Sequence, residues 1–174
     1  GIAGGWIKEA MENHGTNFKE RWKVVKEHTQ LIRSLWKEEE INFSGDYVSI
    51  KDDILQFPKP YTPGGPPIYI GSNHKRVPDR VADYADGWMP IYDRYEGDGD
   101  PVTDLKKSCI QAGRNYDEMT IMLFGAPYEF EALKPLAESG YHGFIFLIPQ
   151  ERSDDIPGVL REIVELKKRF STGN

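Results

Sequence analysis

The chain holds a single cysteine, Cys109, among its 174 residues. One thiol makes no intramolecular disulfide framework and no thiolate zinc cage, and it points to a reduced, cytoplasmic setting. No apolar run approaches the ~20 residues of a membrane span, and no secretory leader pattern opens the chain. A basic excess is missing as well. Lys and Arg number 22 against 28 Asp and Glu, a net charge of −6, which argues against a general nucleic-acid surface. No Gly-x-Ser-x-Gly elbow supports a hydrolase serine. No Walker A sequence occurs, and no Gly-x-Gly-x-x-Gly follows a strand. His14, His28, His74 and His142 lack the spacing of metal ligands, so no metal site is expected. The acidic stretch Asp93, Glu96, Asp98 and Asp100 has the charge of a calcium loop without its closing glutamate, and reads as a solvated surface loop.

What is present is globular: 39% hydrophobic and 29% charged residues, in a length that suits one ordinary domain. Gly1-Ile2-Ala3-Gly4-Gly5-Trp6 reads as a strand end and a glycine turn, so the sequence opens inside a structured motif, as a fragment or processed chain would. A short helix is predicted over 7–14, with Gly15 as its stop. Asn17 and Glu20 have the spacing of a capping box ahead of a helix running to about Lys37. Its apolar face carries Trp22, Val25, Thr29, Ile32 and Trp36. Glu20, Arg21, Lys23, Lys26, Glu27 and Arg33 fall mainly on the opposite face. Residues 41–43 and 47–50, joined by Ser44-Gly45-Asp46, read as a β-hairpin. A Pro/Gly-rich connector follows (Pro58, Pro60, Pro63, Gly64, Gly65).

From residue 68 the pattern alternates. Strands are predicted at 68–71, 87–91, 119–124 and 143–147, and helices at 74–84, 102–112, 129–139 and 156–170, with a frayed tail at 171–174. Repeated strand–helix units mean a parallel sheet. The fold class is therefore α/β. The two common closures are an open doubly wound sheet and a (β/α)8 TIM-type barrel, which usually needs ~250 residues; four strands plus a stub at 1–3 amount to about half such a barrel, with the hairpin as an insertion. An open sheet of this kind leaves bare edges and an apolar face. A homo-oligomer, a dimer, would bury them.

The most informative stretch is Pro66-Pro67-Ile68-Tyr69-Ile70-Gly71-Ser72-Asn73-His74-Lys75-Arg76. A short apolar strand ends in Gly71-Ser72-Asn73, which offers backbone N–H groups and a hydroxyl where a helix is expected to start. Such a place suits an anion, most often a phosphate; it also suits a plain turn with an N-cap. Lys75 and Arg76 oppose the helix dipole unless an anion is present. His74 either reaches a bound ligand or sits on the surface. Trp88, in Asp86-Gly87-Trp88-Met89-Pro90, either walls a planar ligand or packs in the core.

Taken in order, these residues resemble a known family. Gly4-Gly5-Trp6-Ile7-Lys8-Glu9, Glu12-Asn13-His14-Gly15, Phe43-Ser44-Gly45-Asp46-Tyr47, Pro66-Pro67-Ile68-Tyr69-Ile70-Gly71-Ser72 and Ala85-Asp86-Gly87-Trp88-Met89-Pro90 are similar to the central and later parts of the luciferase-like monooxygenases. The closest likeness is to bacterial members that use a deazaflavin coenzyme. The resemblance implies that 1–174 is the C-terminal half of a (β/α)8 TIM-type barrel, one incomplete domain, binding FMN or the deazaflavin coenzyme F420 at the C-terminal strand ends. It implies an oxidoreductase or monooxygenase that moves hydride between that cofactor and a small organic substrate. It implies cofactor contacts at Gly71, Ser72, Asn73 and Lys75, at Gly5 and Trp6 beside Gly4, and at Trp88. The first three strands of the family barrel have no counterpart here, so no catalytic residue is assigned. A catalytically incomplete half-barrel that self-associates, or a simple phosphate-binding module, are the alternatives.

Overall fold

The computed structural model describes residues 1–172. Gly173 and Asn174, the end of the expected frayed tail, lie outside the described residues, while Ser171 and Thr172 continue the last helix. Four short strands form the centre: β3 (Tyr69–Ile70), β4 (Gly87–Trp88), β5 (Thr120–Phe124) and β6 (Gly143–Ile145). They are preceded by a separate hairpin of β1 (Glu40–Ser44) and β2 (Ser49–Leu55). The central strands lie in chain order and pair in parallel. Ile2 adds a parallel bridge to Ile70 on the outer side of β3, as the expected stub. Helix α1 (Lys8–Asn13) follows the stub; helices α3 (Val77–Tyr84), α4 (Pro101–Ala112) and α5 (Phe130–Ser139) connect successive strands, and α6 (Ile156–Thr172) follows β6. Strictly sequential order is the barrel arrangement; a doubly wound sheet would reverse at a switch point. The expected half-barrel with an inserted hairpin is what forms.

The sheet is drawn tight at Gly87. A Cβ there would sit 2.2 Å from the Thr120 carbonyl oxygen and 2.3 Å from the Tyr69 ring, so only glycine lets β3, β4 and β5 approach this closely. Behind the sheet, Ile70, Val81, Trp88, Leu105, Ile121 and Leu133 are buried in one apolar cluster. Burying each side chain of this size contributes about 1.5–3 kcal/mol. Helix ends are satisfied as the sequence suggests. Asp100 Oδ1 accepts from the Thr103 N–H at 3.0 Å, and Gly113 and Gly140 close α4 and α5 in the left-handed conformation. Arg114 Nη1 donates to the Val81, Ala82 and Ala85 carbonyls at the C-terminus of α3, where the dipole favours a cation.

Three local expectations change. Helix α3 starts at Val77 rather than residue 74. Pro78 occupies its first turn, where a missing N–H costs nothing, and residues 74–76 form a turn in which His74 Nδ1 accepts from the Arg76 N–H at 3.1 Å. The capping box does not form. Asn17 Oδ1 accepts from the Lys19 N–H to cap a 3-10 turn, Phe18–Glu20, ahead of α2 (Arg21–Lys37). Glu20 instead accepts from the Tyr47 hydroxyl at 3.1 Å. The second hairpin strand begins at Ser49 rather than Tyr47. The N–H groups of Asp46, Tyr47 and Val48 are all held by the Glu27 carboxylate, at 2.8, 2.7 and 2.6 Å, which bends these residues into the turn.

Asp86 ties the layers together. Its N–H donates to the Ile68 carbonyl at 2.8 Å and its carbonyl accepts from the Thr120 N–H at 3.0 Å. Its Oδ2 accepts from the Ile68 N–H at 2.7 Å and from Arg33 Nη2 of α2 at 2.8 Å. Asp86→Ala strands the Ile68 donor and releases Arg33. It is expected to cost roughly 1–3 kcal/mol, read as a lower urea midpoint at unchanged slope. Glu27 supplies a pH test. Burial alone pushes its carboxyl up, but the three N–H donors outweigh that, and its pKa lies below the ordinary 4.5. A depressed carboxylate pKa adds stability above the unfolded value that disappears as pH falls through the folded one. Thermal melting is therefore expected to lose this contribution below about pH 4.5, and Glu27→Gln to flatten that part of the profile.

Candidate cofactor cleft

All four central strands run the same way, so the loops after them gather at their C-terminal ends. There a cleft of about 600 Å³ opens between the segment after Ile2 and the loop after β3. Its walls include Gly4, Gly5 and Trp6 on one side and Gly71, Ser72 and Asn73 on the other, with Arg21 and Trp22 from α2 and Arg94 and Glu96 from the loop after β4. Gly5 has φ +72°, and a Cβ on it would meet Met11 Sδ at 2.7 Å. The turn therefore requires glycine. Trp6 follows with 84% of its surface exposed, a flat apolar face at the mouth of the cleft.

Backbone polarity distinguishes this cleft. The Gly71 N–H is spent on the Ile2 carbonyl at 2.8 Å, inside the sheet. The N–H groups of Gly4, Gly5, Trp6, Ser72 and Asn73 donate to no protein acceptor among the described residues. Five residues with uncommitted backbone donors, from two loops, thus line the same cleft together with the Ser72 hydroxyl, a composition that suits an anionic oxygen cluster without any lysine. This is a loop site rather than a helix N-terminus, because α3 begins only at Val77.

The loop after β3 is held from behind. Trp88 Nε1 donates to the Ser72 carbonyl at 2.8 Å, and its ring meets Tyr95 edge-on at 5.3 Å. Trp88 is 0% exposed and lines no part of the cleft. Of its two sequence readings, the structure shows core packing, with the added role of fixing Ser72. Asn73 Oδ1 accepts from the Ile91 N–H at 2.8 Å, and its carbonyl accepts from the Glu96 N–H at 2.9 Å. The side-chain oxygen of Asn73 is thereby committed to the fold. Lys75 is exposed and borders neighbouring clefts instead.

Of the residues singled out from sequence, Gly5, Trp6, Gly71, Ser72 and Asn73 come together in one cleft, Trp88 lies beneath it, and Lys75 stands outside it. Arg94 and Glu96 were not foreseen. They belong to a loop read as solvated surface, which the Asn73–Glu96 backbone bond and the Trp88–Tyr95 ring contact bring over. Among the described residues no group of three or more His, Cys, Asp or Glu gathers as metal ligands, and no helix is long and apolar enough to cross a membrane.

Sequential parallel β/α units with their loops gathered at one end of the strands are the arrangement of a (β/α)8-type barrel. The chain belongs to the luciferase-like monooxygenase family, whose pattern matches residues 1–131. It is 26% identical over 155 residues to an uncharacterised protein of Mycobacterium tuberculosis, covering 89% of this chain and 54% of that one. It is 33% identical over 124 residues to the F420-dependent glucose-6-phosphate dehydrogenase of Mycobacterium avium, covering 67% and 34%. The chain thus spans about half the length, or less, of these relatives. Among solved structures it resembles an F420-dependent secondary alcohol dehydrogenase in complex with an F420-acetone adduct, with a TM-score of 0.54, 15% identity, and coverage of 78% of this chain and 42% of that one. At that identity the likeness speaks for the fold.

The support beneath the cleft is testable. Trp88→Phe keeps an aromatic ring but removes the donor to Ser72 and leaves part of the buried indole volume unfilled. It is expected to lower stability by about 1–3 kcal/mol and to speed amide exchange at residues 72–74, followed by hydrogen exchange.

Proposed function

We propose that this chain forms part of a flavin- or deazaflavin-dependent oxidoreductase, with FMN or coenzyme F420 as the cofactor in the cleft between the 4–6 and 71–73 loops. The observation that carries the reading is that five residues with uncommitted backbone N–H groups, one of them Ser72 with its hydroxyl, line one cleft at the C-terminal strand ends. A phosphate bearing several acceptor oxygens matches this set of donors. When bound, such a cofactor supplies hydride transfer to or from a small organic substrate, and the protein supplies position and electrostatics. In this reading Ser72 and the 4–6 loop hold the phosphate, and the exposed Trp6 offers a flat apolar face to the remainder of the cofactor. Trp88 and Asn73 act as positioning residues through the loop they brace. The name of the Mycobacterium avium relative and the adduct in the alcohol dehydrogenase structure support the deazaflavin. A riboflavin lyase holding a modified FMN, with a TM-score of 0.50 and 16% identity, has the same kind of fold.

Titration of the chain with FMN, and separately with coenzyme F420, tests this directly. Trp6 and Trp22 line the cleft, so tryptophan fluorescence is expected to change saturably with one of the two. Ser72→Glu places a carboxylate against the phosphate and is expected to weaken binding at least about tenfold, ~1.4 kcal/mol, with melting temperature as the control for folding. Absence of saturable binding by both compounds, or an unchanged affinity in Ser72→Glu, would overturn the proposal.

A further inference from the structure

The wall of the cofactor cleft continues along the strand ends. Ile91, which lines the cleft, forms a parallel bridge with Phe124 at the end of β5, and the Tyr92 N–H donates to the Phe124 carbonyl at 2.9 Å. The next step across the sheet is as close. Gly125 and Ala126 both donate their N–H groups to the Ile145 carbonyl of β6, at 2.9 and 3.0 Å. Gly125 has φ +71°, and a Cβ on it would meet Leu147 Cδ1 at 3.6 Å. The C-terminal ends of β4, β5 and β6 therefore form one continuous ledge, from Ile91 through Phe124 to Leu147.

The chemistry of this ledge differs from that of the cofactor cleft. Residues 119–128 and 143–149, which span β5 and β6 and the loops after them, contain no charged side chain, although 29% of the chain is charged. Burial explains part of this, since Ile121 and Leu123 lie in the core cluster. Thr120, Met122 and Phe124 alternate to the other face of β5 and stay half-buried. Beyond β6, Leu147 and Ile148 are 52% and 42% exposed. A lone exposed leucine needs no explanation, but this pair is braced. The Tyr128 hydroxyl donates to the Leu147 carbonyl at 2.9 Å, and the Tyr128 ring packs on Phe146 at 5.2 Å. The loop thus holds two aliphatic side chains in the open at the strand ends, where a barrel assembles its ligand site.

We propose that this ledge is the substrate side of the site, and that the substrate lays an uncharged apolar body on it, an alkyl chain or an aromatic ring. The assignment rests on the cofactor reading above and adds to it the class of substrate. Phe124, Leu147 and Ile148 are the specificity-determining residues. They reward buried apolar area and offer no partner to a charge, whose desolvation would go uncompensated. Ile91 belongs to both surfaces, so an apolar body on the ledge lies next to the occupant of the cleft.

The uncharged dye N-phenyl-1-naphthylamine, whose fluorescence rises in apolar surroundings, tests the ledge on the chain without any cofactor. It is expected to bind saturably and to be displaced by 1-octanol but not by glucose at the same concentration. Leu147→Lys/Ile148→Lys is expected to weaken the dye at least about tenfold. Leu160→Lys/Val164→Lys puts the same charges among exposed apolar residues of α6 and is expected to change it less than about twofold. Melting temperature is the control for folding, and Leu147→Ala/Ile148→Ala, which adds no charge, is expected to weaken the dye in the same direction. Neither Leu147 nor Ile148 lines the cofactor cleft, so the lysine pair is expected to keep the affinity for FMN or coenzyme F420, and Ser72→Glu to keep that for the dye. Dye binding that needs Leu147 and Ile148, with no binding of either cofactor, overturns the cofactor reading alone. Cofactor binding without saturable dye binding overturns the ledge alone. Equal loss in the two lysine pairs, or displacement by glucose, also overturns it. So does a dimer in sedimentation that Leu147→Lys/Ile148→Lys dissolves, because a second copy would then cover the ledge.

Discussion

Register between β3 and β4 is the constraint on which both the cofactor cleft and the basic cleft between α2 and α3 depend, and Asp86 sets it. Its backbone and carboxylate engage both polar groups of Ile68 at 2.8 and 2.7 Å, so Tyr69 faces Gly87 and Ile70 faces Trp88. From that alignment the rest follows along the chain. Trp88 reaches the Ser72 carbonyl, Asn73 reaches Ile91, and the loop carrying Arg94 and Glu96 is drawn over the strand end. A one-residue slip would turn Trp88 out of the core and remove every one of these contacts. The same carboxylate holds Arg33, and so aligns α2, whose first turns wall both clefts.

The architecture was legible in the sequence because its signals are local. Strands of three to five apolar residues bounded by Gly and Pro, and helices closed by Gly113 and Gly140, need no distant partner to be recognised. Boundaries slipped where a tertiary contact decided them. Glu27 reads as a solvent-facing residue of α2, yet it captures three N–H groups twenty residues on and moves the start of β2. The polar face of α2 is in fact its connecting face: Glu27 holds the hairpin, Lys26 pairs with Asp83 of α3, and Arg33 pairs with Asp86. Helical periodicity marks which residues share a face but not what will be laid against it.

Site residues were legible to different depths for the same reason. Gly5 and Gly71 to Asn73 are visible as glycine and small polar residues at a strand end, a local pattern. Trp88 is ambiguous because an indole at such a place serves either a ligand or the core. Its donation to Ser72, with no exposed surface, resolves the choice. The basic cleft is almost invisible in one dimension. Its cations come from positions 19–26 and 75–80, each diluted by neighbouring acids, and only the packing of α2 beside α3 brings them to one wall.

That concentration matters most against the charge of the whole. A chain with net charge −6 repels anions at long range, and within a Debye length of ~8 Å at physiological salt the local surface takes over. Seven cations beside a single carboxylate line the cleft between α2 and α3, a local charge opposite to that of the whole chain. Net charge therefore says little about this spot, and the case from composition against anionic macromolecules holds for the surface at large. Both clefts adjoin the loop after β3. One uses backbone N–H groups fixed by strand register, and the other uses side chains fixed by helix packing. The two share Arg21, Trp22 and His74, so the orientation of α2, set through Arg33 and Asp86, positions both at once.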